Sequence, residues 1–585
     1  MQGSTGTRLC AAVAATLLAF PLAGCTSAPE RTATPEGAPA PTTWTVEVPP
    51  VAHPSGETAQ WWYRSGAAHA ARNGAMAARA KNVIVFLGDG MSLTTVAAAR
   101  ILEGQRAGGA GEENLLSWER FPHSAFSKTY NTDSQTPDSA GTMTAIAAGV
   151  KSHMGAIGVS AGARHDCADS QGRHVQSWLQ LADDAGLATG IVTTARITHA
   201  TPAATYAHAP DRNWETDAAM PQAAREAGCR DIAQQLLDFA PGRGPSVILG
   251  GGRGYLMPST ARDPEYPARA GLRQDGRDLT AEWLQRNPGG AYVWNNAQLR
   301  QAQDATRLLG LFEFDHMQYE HDRRKDDGGE PDLAEMTRIA ISRLSRAENG
   351  FVLLVEGGRI DHANHEGNAF RALDETTAMA RAVQVAADMT SADDTLIVIT
   401  ADHSHTLNFV GYPTRGNPIL GKVRGGAGEQ GDPTQYALDA LGLPYTTLVY
   451  ANGAGNTGAS NLQPAGPKRH PHTPSRFEPV HGRPDLRAVD TEHPDYMQEA
   501  LIPMAAETHG GDDVGIWARG PGSDAFRSTM EQHVIYHVVV QATPRLREHL
   551  CAAGYCSAEG VPVELPDPAR FRGASPGGQS VPPRR

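Results

Sequence analysis

Residues 82–91 read Asn-Val-Ile-Val-Phe-Leu-Gly-Asp-Gly-Met, and this stretch decides the fold. Val83–Leu87 is a continuous apolar run, which indicates a strand covered on both faces. Comparable runs recur at Gly190–Thr194, Val247–Gly250, Phe351–Val355 and Thr395–Thr400. Helical patterns lie between them at Val175–Ala185, Leu333–Arg346 and Ala369–Met389. This alternation predicts an α/β fold, a three-layer sandwich with a large, mostly parallel central sheet and helices on both faces.

Acidic residues and histidines follow several of these strands. They are Asp89 after the first, Glu356, Asp361 and His365 after the fourth, Asp402, His403 and His405 after the fifth, and His509 before an apolar run at Val514–Ala518. One loop with an acidic residue or a histidine after a strand is usually only a solvated turn. Because ligands collect at the carboxyl ends of parallel strands, we expect these side chains to converge.

The spacing of these residues predicts metal sites. Asp361 and His365 are four residues apart, so on a helix they share a face, and with His509 they give three zinc ligands and an open position. The other predicted sets are Asp89, Asp402 and His403 for zinc, and Asp89, Glu356 and Thr201, which are hard oxygen ligands, for magnesium. Each pair alone is equally compatible with an ordinary surface pair.

The stretch Thr136–Gly149 (TPDSAGTMTAIAAG) predicts where a reactive group would lie. Pro137 favours an extended entry, Asp138 or Ser139 can cap, and the alanine-rich run that follows is a good helix former. Ser139 is therefore expected where a loop becomes a helix, beside the positive helix end that favours an anion. The position suits a serine that attacks phosphorus or holds a phosphate. The alternative is an ordinary N-cap.

Length and charge limit the function classes. The 585 residues could form several average domains or one large α/β domain with insertions. The formal charge of −13, without a lysine or arginine run, argues against nucleic acid as a specific partner. No apolar stretch in the body of the sequence is long enough to span a membrane.

The N-terminal sequence is typical of an exported lipoprotein. Arg8 precedes an apolar run at Leu9–Phe20, as in a secretory signal. Residues 22–25 (LAGC) resemble the bacterial lipobox, which implies cleavage before Cys25, lipid attachment to its thiol and anchoring to a bacterial membrane outside the cytoplasm. Thr26 favours the outer membrane or a periplasmic face. A plain signal peptide that is cut nearby is the alternative.

Four cysteines remain after Cys10 and Cys25 are assigned to the signal and the lipid site. They are Cys167, Cys229, Cys551 and Cys556. An even number in an exported chain indicates two disulfides with three possible connectivities. The short loop between Cys551 and Cys556 makes that pairing the easiest, which leaves Cys167 with Cys229. Structural zinc is the alternative, although the paired spacing of such sites is missing.

Composition divides the sequence into four parts. We assign residues 1–24 to a lipoprotein signal peptide, 25–56 to a disordered tether, 57–557 to the α/β catalytic domain with an irregular insertion at 408–505, and 558–585 to a disordered tail. Glu57–Ala80 is predicted to be helical, with Trp61, Trp62 and Tyr63 packed on a neighbour. One strand is predicted inside the insertion, at Thr446–Ala451.

A series of motifs carries a family resemblance. In order they are FLGDGM (86–91), PDSAGT (137–142), VTT (192–194), HATP (199–202), TYAH (205–208), RNW (212–214), VEGGRIDH (355–362), TADHSH (400–405) and ETH (507–509). With these, residues 57 to about 556 resemble an alkaline phosphatase, and more closely the vertebrate branch than the enteric bacterial one. The resemblance implies hydrolysis of phosphate monoesters through a covalent phosphoserine.

The resemblance implies a role for each matching residue. Ser139 would be the nucleophile, Arg212 would clamp the phosphoryl oxygens and His362 would lie near the phosphate. The implied metal sites are Asp361, His365 and His509 for one zinc ion, Asp89, Asp402 and His403 for a second, and Asp89, Thr201 and Glu356 for magnesium. His199 would lie beside magnesium, and His405 would support the first zinc ion without binding it.

Other positions match only one branch of the family. His199 and His362 stand where the enteric enzyme has an aspartate and a lysine, and Ala506 replaces an acid of the vertebrate pattern. The candidate calcium ligands are Glu265, Glu313, Glu330, which stands for an aspartate, and the carbonyl of Phe312. The insertion at 408–505 would correspond to the crown subdomain of the vertebrate enzymes, and the aromatic N-terminal helix to the arm that embraces a dimer partner.

The implied substrates are small phosphate monoesters, and the implied assembly is a homodimer. Two zinc ions, one magnesium ion and a candidate calcium ion are the implied cofactors. A phosphodiesterase or sulfatase of the same superfamily is the alternative, although sulfatases use a different motif and phosphodiesterases commonly use a threonine. From another class, the chain could be a phosphate-binding lipoprotein that depends on metals and does not turn substrate over.

Overall fold

The computed structural model describes residues 44–239, 243–425, 432 and 434–571. Within them the strands are β1 (Asn82–Gly88), β2 (His123–Lys128), β3 (Ala188–Arg196), β4 (Val247–Gly251), β5 (Ala291–Val293), β6 (Leu308–Leu311), β7 (Phe351–Gly357), β8 (Thr395–Ala401), β9 (Ser404–His405), β10 (Leu407–Phe409), β11 (Leu448–Gly453), β12 (Ala500–Pro503), β13 (His509–Gly510), β14 (Val514–Arg519) and β15 (Thr529–Glu531).

The α-helices of the same residues are α1 (Ala59–Arg72), α2 (Leu93–Arg106), α3 (Ser139–Ala148), α4 (Cys167–Ser170), α5 (Trp178–Asp184), α6 (Ala200–Ala203), α7 (Gln222–Glu226), α8 (Ile232–Gln235), α9 (Arg253–Leu256), α10 (Leu279–Arg286), α11 (Asn296–Gln301), α12 (Leu333–Leu344), α13 (Arg359–His365), α14 (Ala369–Met389), α15 (Val534–Ala542) and α16 (Pro544–Ala552). Short 3₁₀ turns occur at Ala75–Ala77, Ser117–Arg120, Asp217–Ala219, Arg323–Lys325, Ser523–Ala525 and Pro568–Arg570.

Ten strands form one sheet in the order β15-β2-β14-β8-β1-β7-β3-β4-β6-β5. β14 runs antiparallel to both of its neighbours, and the other pairings in this sheet are parallel. Alternate residues of β1 enter two different apolar clusters, Val83 and Val85 on one face and Ile84 and Phe86 on the other. Helices α3, α5 and α15 line the first cluster, and α2, α12 and α14 line the second. The predicted three-layer sandwich is confirmed.

The predicted strands form with small shifts at their ends, because long buried runs carry a strong apolar signal. The predicted helix at Ala369–Met389 has the predicted bounds, while Val175–Ala185 is reduced to α5. The sequence analysis missed β2, β5, β6 and β15. They are short, and in β2 Ser124 and Phe126 are exposed, so the continuous apolar pattern is absent.

The insertion is irregular, as predicted. In the described part of residues 410–508, β11 and β12 are the regular elements, and β11 lies two residues beyond the predicted strand Thr446–Ala451. Together with β10 they form a three-stranded sheet. The insertion therefore adds its own small sheet instead of extending the central one.

The N-terminal helix α1 is shorter than predicted, ending before Gly74, whose φ is +95°. Trp62 and Tyr63 are buried against α15 of the same chain, with ring centroids 5.0 Å from His533 and 5.7 Å from Tyr536. The aromatic helix therefore packs on its own chain, and its assignment to a dimer-embracing arm stays a prediction.

The packed fold extends past the boundaries predicted at 57 and 557. Trp44 and Val46, which the sequence assigns to the tether, pack against a buried cluster that includes Val561 and Val563 from the expected tail. Burial of these side chains draws both flanking segments onto α1. The predicted signal peptide, Cys25 and the remaining tether and tail lie outside the described residues.

Both predicted disulfides form, Cys167 with Cys229 and Cys551 with Cys556. Two disulfides indicate a protein of an oxidising, exported compartment. In the described ranges, every helix is too short or too polar to cross a bilayer.

Candidate metal and phosphate centre

The carboxyl ends of β1, β7 and β8 meet at one edge of the sheet. Asp89 follows β1, Glu356 lies near the end of β7, and Asp402 follows β8. The pair of β9 with β13 places His509 opposite His405 above them. Gly90 has φ +65°, and a Cβ there would lie 2.3 Å from the His405 ring, so a glycine is required at this turn.

Ser139 is the first residue of α3 and is buried. The cap is Asp138, whose carboxylate accepts hydrogen bonds from the Gly141 N–H and the Gly155 N–H, each at 3.1 Å. The Ser139 hydroxyl lies 3.1 Å from His403 Nε2 and 3.4 Å from a carboxylate oxygen of Asp89. The serine thus points away from its own helix and into the acidic and histidine cluster.

Asp361, His365 and His509 form one convergent set, as predicted. His365 Nδ1 donates to the carbonyl of Glu507 at 2.5 Å, and His509 Nδ1 donates to the carbonyl of Pro137 at 2.7 Å. Each ring therefore presents the lone pair of Nε2, and the two Nε2 atoms are 3.0 Å apart. Asp361 Oδ1 lies 3.3 and 3.4 Å from them. Facing lone pairs of this kind need a cation between them.

Asp89, Asp402 and His403 form a second set around Ser139. His403 Nδ1 donates to the carbonyl of Ser404 at 3.2 Å, so the lone pair of Nε2 points to the carboxylates. Nε2 lies 3.5 Å from Asp89 Oδ1 and 3.2 Å from Asp402 Oδ2. Burial lowers the pKa of His403 well below its usual value, which keeps the ring neutral and able to bind a metal.

Asp89, Glu356 and His199 form a third set of possible metal ligands. The hydroxyl of Thr201 donates to Asp89 Oδ2 at 3.4 Å, and that of Thr193 donates to Glu356 Oε2 at 2.5 Å. Glu356 Oε1 is buried without a hydrogen-bond partner. An orphaned carboxylate oxygen beside a second carboxylate fits a hard divalent cation.

The electrostatics of these sets also fit cations. Burial, together with the charges of Asp402, Asp361 and Glu356, raises the pKa of Asp89 well above its usual value. Burial raises the pKa of Glu356 to about 8. Several buried carboxylates at one sheet edge repel one another unless positive charge lies between them.

His405 has a different role from the other histidines. Its Nδ1 donates to Glu507 at 2.5 Å and its Nε2 donates to Asp361 at 2.8 Å. Burial alone would lower the pKa of His405, but Glu507 and Asp361 outweigh it and raise the pKa to about 10. His405 lies in one candidate metal group with Asp361, His365 and His509, but each of its ring nitrogens faces a carboxylate, so it is placed to orient Asp361. Its supporting role stays a prediction.

Arg212 contacts the N-terminal end of α3 through the cap residue Asp138. Its Nη1 is 3.1 Å from Asp138 Oδ2 and its Nη2 donates to His199 Nε2 at 3.0 Å. The guanidinium is about one quarter exposed, so it is accessible to a ligand. Three groups of candidate metal ligands and an arginine are thus assembled around one serine.

Comparison with known proteins decides the family. Residues 80–544 match the family described as "Alkaline phosphatase".

The chain belongs to the alkaline phosphatase family.

The tissue-nonspecific alkaline phosphatase of Gallus gallus is 46% identical over 474 residues, which is 79% of this chain and 84% of that protein. An alkaline phosphatase of Gadus morhua is 44% identical over 473 residues, 79% of this chain and 92% of that protein. Among solved structures, Thermus thermophilus alkaline phosphatase aligns with 86% of this chain and 100% of that chain, with a TM-score of 0.56 and 23% identity, which supports the fold.

An acidic group corresponds to the candidate calcium site of this alkaline phosphatase. Glu265 and Glu313 converge as expected, but the third member of the group is Asp326. Glu330 is buried nearby, where burial and the charges of Glu313 and Asp326 raise its pKa well above its usual value. Asp326 lies in an Asp-Asp pair of a charged loop, and sequence spacing alone gave no reason to choose it.

The sequence analysis also missed His316. This residue follows β6 at the same sheet edge, so the rule that identified Asp89 and Asp402 could have found it. Its ring centroid lies 4.0 Å from that of His362 and 5.3 Å from that of His199. The site of this family member therefore contains a third histidine beside the two that were predicted.

Proposed function

We propose that the protein is an alkaline phosphatase that hydrolyses phosphate monoesters through a phosphoserine at Ser139. The observation that carries this proposal is the position of the Ser139 hydroxyl, buried at a helix N-terminus between His403 and Asp89. The N–H groups of that helix end and Arg212 favour the negative phosphoryl group.

The displacement has two steps. Ser139 Oγ forms a bond to phosphorus while the bond to the ester oxygen breaks and the alcohol leaves. Water then cleaves the phosphoserine and releases inorganic phosphate. Arg212 holds two non-bridging oxygens with its planar fork, and Asp138 keeps that fork in place. His362 lies near the bound phosphate.

The residues present fit three divalent cations. Those that would hold them are Asp361, His365 and His509 for one zinc ion, Asp89, Asp402 and His403 for a second, and Asp89, Thr201 and Glu356, beside His199, for magnesium. When bound, zinc supplies Lewis-acid activation of the attacking oxygen and stabilisation of the leaving oxygen. A calcium ion would be held by Glu265, Glu313 and Asp326, close to Glu330 and Phe312.

The proposed setting is a homodimer anchored to a bacterial membrane by lipid at Cys25. Two features support it. The edge strand β12 of the insertion exposes Leu501 and Ile502, at 82% and 53%, which suits a self-complementary contact. The disulfides agree with an exported protein.

The test is hydrolysis of p-nitrophenyl phosphate and of bis(p-nitrophenyl) phosphate by the purified protein, before and after chelation. We expect turnover of the monoester that chelator abolishes and zinc with magnesium restores. Ser139→Ala is expected to lower kcat by more than about 10³-fold while metal content is unchanged. Faster cleavage of the diester would indicate a phosphodiesterase, and bound metal without any turnover would indicate a binding protein.

A further inference from the structure

Three histidines form a cluster beside the proposed phosphate site. His199, His316 and His362 each bring one ring nitrogen within 4.8 Å of the others. His316 and His362 are partly exposed, so the cluster opens to solvent. Spacing alone would suit a metal ion, and the hydrogen bonds decide against it.

Each of the three rings is faced by an arginine donor. Arg212 Nη2 donates to His199 Nε2 at 3.0 Å, and Arg359 Nη1 donates to His362 Nδ1 at 3.1 Å. The backbone N–H of Arg196 is 3.2 Å from His316 Nδ1, and its Nη1 is 2.5 Å from Nε2. A neutral imidazole has one lone pair, and here that lone pair is directed at an arginine. The rings are therefore poor metal ligands, and the arginines would repel a cation.

Arg359 differs from the other two arginines, because Glu366 and Glu375 act on its charge only from beyond ion-pair distance. Arg196 pairs with Glu215 and Asp315, and Arg212 pairs with Asp138. In the described part of the chain no carboxylate lies within ion-pair distance of Arg359, and its Nε is buried without a hydrogen-bond partner. The guanidinium lies over the Tyr319 ring at 3.8 Å, which fixes its plane.

We propose that Arg359, together with the His362 face of the cluster, binds a second phosphate group carried by the leaving part of the substrate. The proposal rests on the proposed function, because the subsite adjoins the arginine clamp through His199. An oxyanion accepts hydrogen bonds from a guanidinium and from an imidazole N–H group, so these donors suit a phosphate. The preferred substrates are small organic bisphosphates.

The test compares 1,3-propanediol bisphosphate with 1,3-propanediol monophosphate, which share the same leaving alkoxide. For the unmodified, metal-loaded protein we expect kcat/KM to be about tenfold higher for the bisphosphate, through KM, beyond the factor of about two from its two equivalent ends. Arg359→Gln should abolish that preference, with a smaller change in the kinetics on the monophosphate than on the bisphosphate and with the zinc content unchanged. Arg359→Lys should retain part of it.

His316 provides a control variant, because both of its ring nitrogens face Arg196 and not the subsite. His316→Asn keeps an acceptor for the Arg196 N–H and should keep the preference for the bisphosphate. An unmodified protein without preference, or Arg359 variants that keep it, would overturn the proposal.

Two further outcomes are distinguishable. If the unmodified protein turns over neither propanediol ester, the proposed function fails and the subsite proposal fails with it. If the unmodified protein shows no preference for the bisphosphate, and sulfate at constant ionic strength changes its monophosphate turnover but not that of Arg359→Gln, the subsite holds a free oxyanion, which overturns its assignment to the substrate.

Discussion

Two histidine clusters lie at the same sheet edge and differ in what faces their nitrogens. In the first, His365, His403 and His509 donate through Nδ1 to backbone carbonyls, so their Nε2 lone pairs converge on carboxylates. In the second, arginine donors face the lone pairs of the rings. The same residue type thus presents converging lone pairs in one cluster and is faced by guanidinium donors in the other. Whether one ring nitrogen of a histidine can bind a cation is set by the hydrogen bond that the other ring nitrogen makes.

The largest expected effect comes from removing one converging lone pair. His509→Ala should lose one zinc ion per chain and lower kcat/KM by more than about 100-fold. This loss is larger than is typical when the substituted residue contacts a metal ligand and not the metal itself. His362→Ala, the matched variant from the arginine-faced cluster, should keep every metal ion. The measurement is metal content by mass spectrometry together with monoester kinetics. Loss of a metal ion from His362→Ala would contradict the distinction between the clusters.

A smaller effect is expected where a histidine acts only through another residue. Glu507→Gln removes the carboxylate charge that faces Nδ1 of His405, and His405 in turn orients Asp361. Zinc affinity should fall by about 10–100-fold, measured by competition with a chromogenic chelator. Glu366→Gln is the control, because Glu366 pairs with His470 outside the cluster. Equal effects of the two substitutions would show that Glu507 has no specific positioning role.

Much of this comparison could be predicted from sequence, because the first cluster follows local rules. Buried strands appear as apolar runs, and the residues after them lie at one edge. Asp361 and His365 share a face of α13, as their spacing requires. The cap and the position of the Ser139 hydroxyl at the start of α3 were predictable for the same reason, since each depends on neighbours within a few residues.

The second cluster depends on contacts that sequence does not encode locally. His316 meets His199 and His362 only because β6, β3 and β7 are brought into one sheet. The direction of each ring is set by arginines from different segments. The packing of the two segments that flank the domain could not be predicted for the same reason. Trp44 and Val563 are more than five hundred residues apart and lie in segments whose composition is typical of disorder.

The smallest expected effect comes from a residue that borders both clusters. His199 lies with Asp89 and Glu356 in a possible metal group, yet its Nε2 accepts from Arg212. His199→Asp supplies a hard oxygen ligand and should tighten magnesium binding by about tenfold. The gain is limited because Arg212 competes for the new carboxylate. Calorimetric titration with magnesium measures it, with His199→Asn as the neutral control. Equal affinities for the two variants would show that charge at this position does not reach the magnesium site, and that the arginine-faced cluster is electrostatically separate from it.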